Sequence, residues 1–265
     1  MRRLKFSRKT LGIPYAVFLI LFVILPLVVL VYYAFTNGSG QPTLENLTGF
    51  FTSPHTMGTL VYSLAVAFVT TVVCLLLAYP TAYILARSGI GRRGGVIMIF
   101  VLPMWINFSL RITALKEILT LIEGNLAYYP FLNAVIGMTY DFLPFMILPI
   151  FNTLIKLDDS LIEAARDLGA NSSQAFWKVV LPLSLPGVVS GIAMVFLPAM
   201  TNYVVLDMLY NSTYIMGSLI GSYFSTYNWH GGSMIALILL GLICLFTLIS
   251  RSAENGEEQR GGALL

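Results

Sequence analysis

Apolar residues in this chain gather into long uninterrupted runs, with the polar residues confined to short stretches between them. A bilayer core about 30 Å thick is crossed by about 20 apolar residues in a helix. Six runs approach or exceed that length. They are Gly12 to Phe35, Met57 to Ala86, Gly94 to Leu115, Phe131 to Ile155, Leu183 to Leu206 and Ser233 to Ser250. The third is the most interrupted, by Asn107, Ser109, Arg111 and Thr113. The pattern therefore predicts an all-α membrane protein with six transmembrane helices, five being the alternative count.

Charge placement supports six. The chain carries 15 Lys and Arg residues. Arg2, Arg3, Lys5, Arg8 and Lys9 precede the first run, and Arg87, Arg92 and Arg93 follow the second. Lys156, Arg166 and Lys178 follow the fourth, and Arg251 and Arg260 follow the sixth. With a cytoplasmic N-terminus all of these lie inside, and only Arg111 and Lys116 fall outside. This is the bias that sets orientation in membranes, so both termini are expected in the cytoplasm. The organisation is then a basic cytoplasmic N-terminus (1–11), a six-span domain (12–250) and a cytoplasmic tail (251–265). The polar part of that tail, Ser252 to Gly262, is expected to be disordered.

Composition agrees. The chain is 57% hydrophobic and 10% charged, against about 45–50% and about 25% in soluble domains. The first run is about twice the length of a signal-peptide core and lacks a small-residue cleavage site, so it is read as a retained helix. Cys74 and Cys244 both fall in apolar runs and read as packing residues, with no disulfide or metal site implied. Pro26, Pro80, Pro103, Pro144, Pro149 and Pro198 lie inside the runs. Bent helices in a packed bundle tolerate this, although membrane helices are in general richer in proline. No internal repeat is evident.

The connection from Lys156 to Pro182 is too polar to span. Ser160 and Glu163 have capping-box spacing, and Leu161, Ala164, Ala165 and Leu168 share one helical face. Gly169 stands where a left-handed stop is expected. Asn171, Ser172 and Ser173 can cap a second short helix, with Pro182 at its end or at the turn into the fifth span. A first helix of about eight residues is too short to be stable alone. Its apolar face needs a surface, either its own spans or a partner.

This segment resembles the signature of bacterial binding-protein-dependent ABC importer permeases: EAA, three residues, Gly, nine residues, Ile, one residue, Leu-Pro. The chain has Glu163-Ala164-Ala165, Gly169, Val179 and Leu181-Pro182, with only Val replacing Ile. The resemblance covers about Phe50 to Ser250. It extends to Pro103-Met104-Trp105-Ile106-Asn107 with Arg111, to Leu143 through Pro149, and to Leu197-Pro198-Ala199-Met200 with Asp207. In these stretches the chain is similar to spermidine/putrescine permeases. The resemblance implies a type I importer permease fold, with the loop 156–182 forming cytoplasmic coupling helices that dock on an ATPase subunit. Glu163, Ala164, Ala165, Gly169, Leu181 and Pro182 would carry that coupling. It also implies a multi-pass protein of the bacterial inner membrane and three kinds of partner: a second, homologous permease subunit, an ATP-binding subunit dimer and an extracytoplasmic substrate-binding protein. Part of the outer connection Tyr210 to Gly232 would fold back as a gate, the alternative being a solvated loop.

A polyamine carries several ammonium groups separated by methylenes. Carboxylates pair with the ammoniums, and aromatic faces add cation–π attraction. Ionisable groups inside spans are costly and are functional candidates by default. The substrate path is therefore expected to include Trp105, Asn107, Arg111, Tyr140, Asp141, Tyr203 and Asp207. Arg111 could instead pair with either carboxylate as a purely structural bridge.

No Gly-Lys pair occurs, so the chain has no P-loop of its own. No cofactor or metal is expected in it, and ATP and Mg belong to the partner ATPase. Neither His55 nor His230 sits in an HExxH arrangement, and no GxSxG elbow is present. His230 is read as a solvated loop residue, with a proton relay as the minor alternative. The net charge of +3 is explained by membrane orientation and needs no nucleic acid. The other readings are a permease for a different small organic or cationic solute, an ion-coupled carrier or channel, and a membrane-embedded enzyme. Carriers often show inverted repeats, which are not seen here, and catalytic constellations are missing.

Overall fold

A computed structural model describes the backbone over 8–87, 95–210 and 215–262, and the side chains over 12–87, 97–210 and 215–248. Arg2, Arg3, Lys5, Arg92 and Arg93 lie outside the described residues, as does most of the basic N-terminal segment. Apart from an isolated bridge between Thr36 and Pro42, every element among the described residues is helical. The chain forms two compact units, one of 1–58 with 219–241, the other of 59–218 with 242–265.

In the first unit, α1 (Arg8–Leu19), a π-turn (Ile20–Ile24) and α2 (Leu25–Ala34) form one continuous apolar rod. Its most apolar stretch is wholly unburied, as a helix facing lipid or a partner would be. The rod ends against α3 (Glu45–Thr52), where Asn46 Nδ2 donates to the carbonyls of Ala34 at 2.9 Å and Thr36 at 3.0 Å. These acceptors belong to the helix end and would otherwise lack partners. His230 is not a solvated loop residue. Its Nδ1 lies 3.0 Å from the Tyr33 carbonyl and its ring meets Tyr33 edge-on at 5.3 Å.

The second unit takes most of α4 (Pro54–Arg87), then α5 (Gly95–Trp105), α6 (Phe108–Glu123) and a 3₁₀ turn (Leu126–Tyr128). It continues with α7 (Pro130–Leu154), α8 (Asp159–Asp167), α9 (Ser172–Ala175), a π-turn (Phe176–Val180), α10 (Leu181–Thr201) and α11 (Tyr203–Leu209). The helices α12 (Met216–Ser225) and α13 (Trp229–Gly262) run through both units. The most buried span is α7. Its long neighbour α10 comes close because Gly187 and Gly191 face Pro149, Thr153 and Met146, the small-residue packing usual between membrane helices.

Among the described residues five helices are long and apolar enough to cross a membrane, and a sixth span results if one bent pair counts as a single crossing. That pair is the expected third span. It is not straight: Ile97–Trp105 and Phe108–Glu123 meet at 100°. The Asn107 side chain accepts from the Ser109 N–H at 2.9 Å and starts a new helix. Pro103, lacking an N–H, weakens the end of the old one.

The expected fifth span ends five residues early, at Thr201, and begins further back. Of the two places expected for Pro182, the end of the short helix or the turn into the fifth span, neither is a break: it sits in the first turn of α10, and the π-turn carries the helix through from Ser172. The backbone of 252–262 was expected to be disordered and is the end of α13, no proline interrupting it. The described part of 210–232 is mostly helical: α12 takes Met216–Ser225, with Ile215, Met216 and Leu219 buried, and only Thr226, Tyr227 and Asn228 form an exposed turn before α13.

Candidate functional site

Two regions of the second unit hold the residues singled out by sequence. The first is the connection between α7 and α10. Its helix α8 starts two residues earlier than a Ser160 cap would place it. Asp158 is the cap, accepting from the Ser160 N–H at 3.0 Å, so Ser160 and Glu163 form no capping box. That bond, and then the Ser160 side chain, holds the Asp158 carboxyl below the usual carboxylate range. At the other end Gly169 has φ +87°, with Ala170 N–H bonded to the Ala165 carbonyl and Gly169 N–H to that of Arg166. This is a Schellman stop, which favours glycine. Asn171 and Gln174 then form a reciprocal capping box at 2.8 and 2.9 Å.

No residue of α8 is buried. Leu168 is 89% exposed and Leu161 41%. Leu168 also borders a groove of about 380 Å³ lined by Ala165, Gly169, Gln174, Lys178 and Val179. Glu163 and Ala164 are exposed on the same short helix. Leu181 and Pro182 stand where the π-turn passes into α10. An ion pair between Arg87 and Asp159 joins the end of α4 to the first turn of α8. The chain thus presents exposed Leu161 and Leu168 on a helix with a capped start and a Schellman stop.

The second region lies along α6, α7 and α11. Arg111 Nη2 donates to Asp141 Oδ1 at 2.7 Å, and both side chains are more than nine-tenths buried. The guanidinium carbon also stands 5.9 Å from the Tyr140 ring centre. Arg111, Tyr140 and Asp141 therefore come together, and of the two acids Arg111 takes Asp141. Asp207 is exposed on α11 and is in no ion pair among the described residues. Tyr203, at the start of α11, is also exposed, while Val205 and Leu209 pack against Gly137 of α7. Trp105 is 83% exposed at the end of α5, and Asn107 is occupied as the cap of α6.

Sequence reasoning missed two residues here. Asn202 breaks α10 from α11, its N–H bonded back to the Pro198 carbonyl at 2.8 Å. Asn133 is fully buried and donates to Glu123 at 2.8 Å and to the Leu126 carbonyl at 2.9 Å, tying α6 to the start of α7. The Asn-Tyr pair after Pro198 was the available signal for the break; Asn133 in an otherwise apolar run was the signal for the second.

Residues 78–254 match the family described as binding-protein-dependent transport system inner membrane component. The chain is 34% identical to the spermidine/putrescine transport system permease protein PotB of Haemophilus influenzae, over 95% of each chain. It is 31% identical to the protein of the same name from Escherichia coli (strain K12), over 86% of this chain and 91% of that one. Among solved structures, a chain of a bacterial alginate ABC transporter superposes with a TM-score of 0.71 at 12% identity, covering 91% of each. One from the MetNI methionine ABC transporter gives 0.59 at 20% identity, over 76% of this chain and 95% of that one. The fold is that of an ABC importer permease, and the chain belongs to the family of binding-protein-dependent transport system inner membrane components.

Proposed function

We propose that this chain forms half of the membrane pathway of an ATP-driven importer for polyamines such as spermidine and putrescine. The observation that carries the coupling half of this reading is α8. It bears the Glu163-Ala164-Ala165 and Gly169 pattern, has a fixed start and stop, and leaves Leu161 and Leu168 uncovered. In this reading a nucleotide-binding partner grips the segment, because an amphipathic helix capped at both ends transmits displacement where a flexible loop absorbs it. The polyamine half is supported by the similarity to the two spermidine/putrescine permeases over nearly the whole chain.

In this reading the bent pair α5–α6 is one crossing, giving six spans, and both termini lie in the cytoplasm with α8 and α9. A second, homologous permease chain completes the pathway. Two ATPase subunits, which bind ATP and Mg, engage Glu163 to Gly169 and the Leu181-Pro182 segment from inside. A substrate-binding protein delivers the polyamine from outside. Trp105, Tyr140, Tyr203 and Asp207 offer aromatic faces and a carboxylate to the passing ammonium groups. Asn107 and Arg111 shape the same path, Arg111 by holding Asp141.

The test is ATP hydrolysis by the complex reconstituted with its binding protein. Stimulation by spermidine or putrescine, and none by neutral amino acids or sugars, is expected. No stimulation by any polyamine overturns the substrate assignment. The coupling assignment is tested by Leu168→Asp, which places a charge on the exposed apolar face. It should release the ATPase subunit on purification while the permease stays in the membrane; normal retention with normal uptake overturns it.

A further inference from the structure

The helix α12 begins inside the protein. Ile215 and Met216 are fully buried. The Met216 N–H donates to Ser63 Oγ on α4 at 2.9 Å, and the Ile215 N–H to Ser218 Oγ at 3.0 Å. Both are donors that a helix start otherwise leaves without partners. The next residue, Gly217, meets the broken end of α10. A Cβ there would lie 2.0 Å from the Thr201 carbonyl oxygen, 3.0 Å from its carbon and 3.3 Å from the Tyr203 ring. A carbonyl at the end of a helix cannot rotate aside as a flexible side chain would, so only a residue without a side chain fits. The Cα–H in that direction points at the carbonyl oxygen, a weak but recurrent contact. Partial charges agree, since the negative C-terminal end of α10 faces the positive first turn of α12.

Thr201 is the last residue of α10, and Tyr203 is the first of α11. One residue, Asn202, joins them, with φ −74° and ψ 81°. The first turn of α12 fills the corner that this joint makes. We infer that Gly217 is a positioning residue: by closing on Thr201 it fixes the angle at which α11 leaves α10, and so the place of Tyr203 and Asp207. The consequence for transport rests on the polyamine pathway proposed above.

The experiment uses the full reconstituted complex and separates the two claims. In a chain with Cys74→Ala and Cys244→Ala, an Asp207→Cys reporter is labelled with a maleimide. Adding Gly217→Ala should change the labelling rate at least threefold. Gly221→Ala on the same helix should leave it unchanged, because a Cβ at Gly221 meets nothing within 4 Å. In the chain that keeps Asp207, Gly217→Ala should raise the half-saturating spermidine concentration about tenfold with maximal uptake within twofold. A residue that only stabilised the fold would lower maximal uptake instead. Ser63→Ala removes the acceptor for Met216 without adding volume, and should shift labelling in the same direction by a smaller factor. It decides the matter where Gly217→Ala fails to assemble. Unchanged labelling in the assembled variants overturns the positioning role. Changed labelling with unchanged half-saturation for every polyamine supports that role and overturns the assignment of α11 to the substrate path.

Discussion

Asp141 and Asp207 are the same side chain in two different situations. Asp141 lies in the most buried span and is gripped by Arg111 at 2.7 Å, both side chains almost wholly removed from solvent. Asp207 stands on a seven-residue helix after a break, exposed and without an ion pair among the described residues. In local sequence both are acids in apolar surroundings, and only Asp207 falls in a stretch that resembles the spermidine/putrescine permeases. The structure gives one an internal counter-charge and leaves the other open. A carboxylate already neutralised by a guanidinium offers little to a passing ammonium, whereas an open one is available. The comparison teaches that charge count along a span does not measure charge available to a substrate.

Arg111→Leu breaks this contrast most severely. Removing one partner of a buried pair leaves a charge without compensation and costs about 3–5 kcal/mol. The expected outcome is poor recovery of the assembled complex from membranes. Asp141→Leu on the same chain should restore it, since apolar replacement of a whole buried pair is often neutral or stabilising. The pair is not ideal in the first place: Arg111 donates through Nη2, and its Nε has no partner among the described residues. Failure of the double variant to recover would mean that Asp141 does more than hold Arg111.

Asp207→Asn should behave oppositely. Assembly is retained, because no ion pair is lost, and the half-saturating polyamine concentration rises roughly tenfold, equivalent to ~1.4 kcal/mol. Uptake measured over a range of spermidine concentrations decides it. If this variant assembles poorly while its affinity is unchanged, the roles assigned to the two acids are reversed.

Much of this arrangement was legible beforehand because it depends on local rules. The stop at Gly169 follows from a left-handed position after a short helix, and Asn171 caps by its own reach to Gln174. The runs themselves follow from bilayer thickness. The exceptions depend on neighbours far along the chain or on competition between adjacent residues. Thr201 ends α10 where Gly217, sixteen positions later, packs on its carbonyl, and no window around Leu206 contains that information. The choice of Arg111 between two acids needed the contact of α6 with α7. Pro182 obeyed the rule for a first helical turn, yet the π-turn before it joined two helices that a proline usually separates. At the start of α8, Asp158 and Ser160 both satisfy the composition of a cap, and the carboxylate takes the place.

That last choice supplies a third carboxylate to set beside the other two, one held by a backbone amide rather than by a cation. The Asp158 carboxyl is held below its ordinary value by the Ser160 N–H, so the folded state binds its proton less readily than the unfolded chain. Its contribution to the start of α8 is therefore fully present above the unfolded value, about 3.9, and is lost as pH falls through the lower folded value. Between pH 5 and 8 no change is expected, in contrast to a histidine switch. Hydrogen exchange at the first amides of α8, corrected for intrinsic rates, reads this directly. Protection should be constant down to about pH 4 and then fall. Asp158→Asn keeps an oxygen acceptor at the cap and should keep that protection without the acid-dependent loss. Asp158→Ala should show reduced protection at every pH. An acid-dependent loss that persists in Asp158→Asn would overturn the assignment of the effect to Asp158.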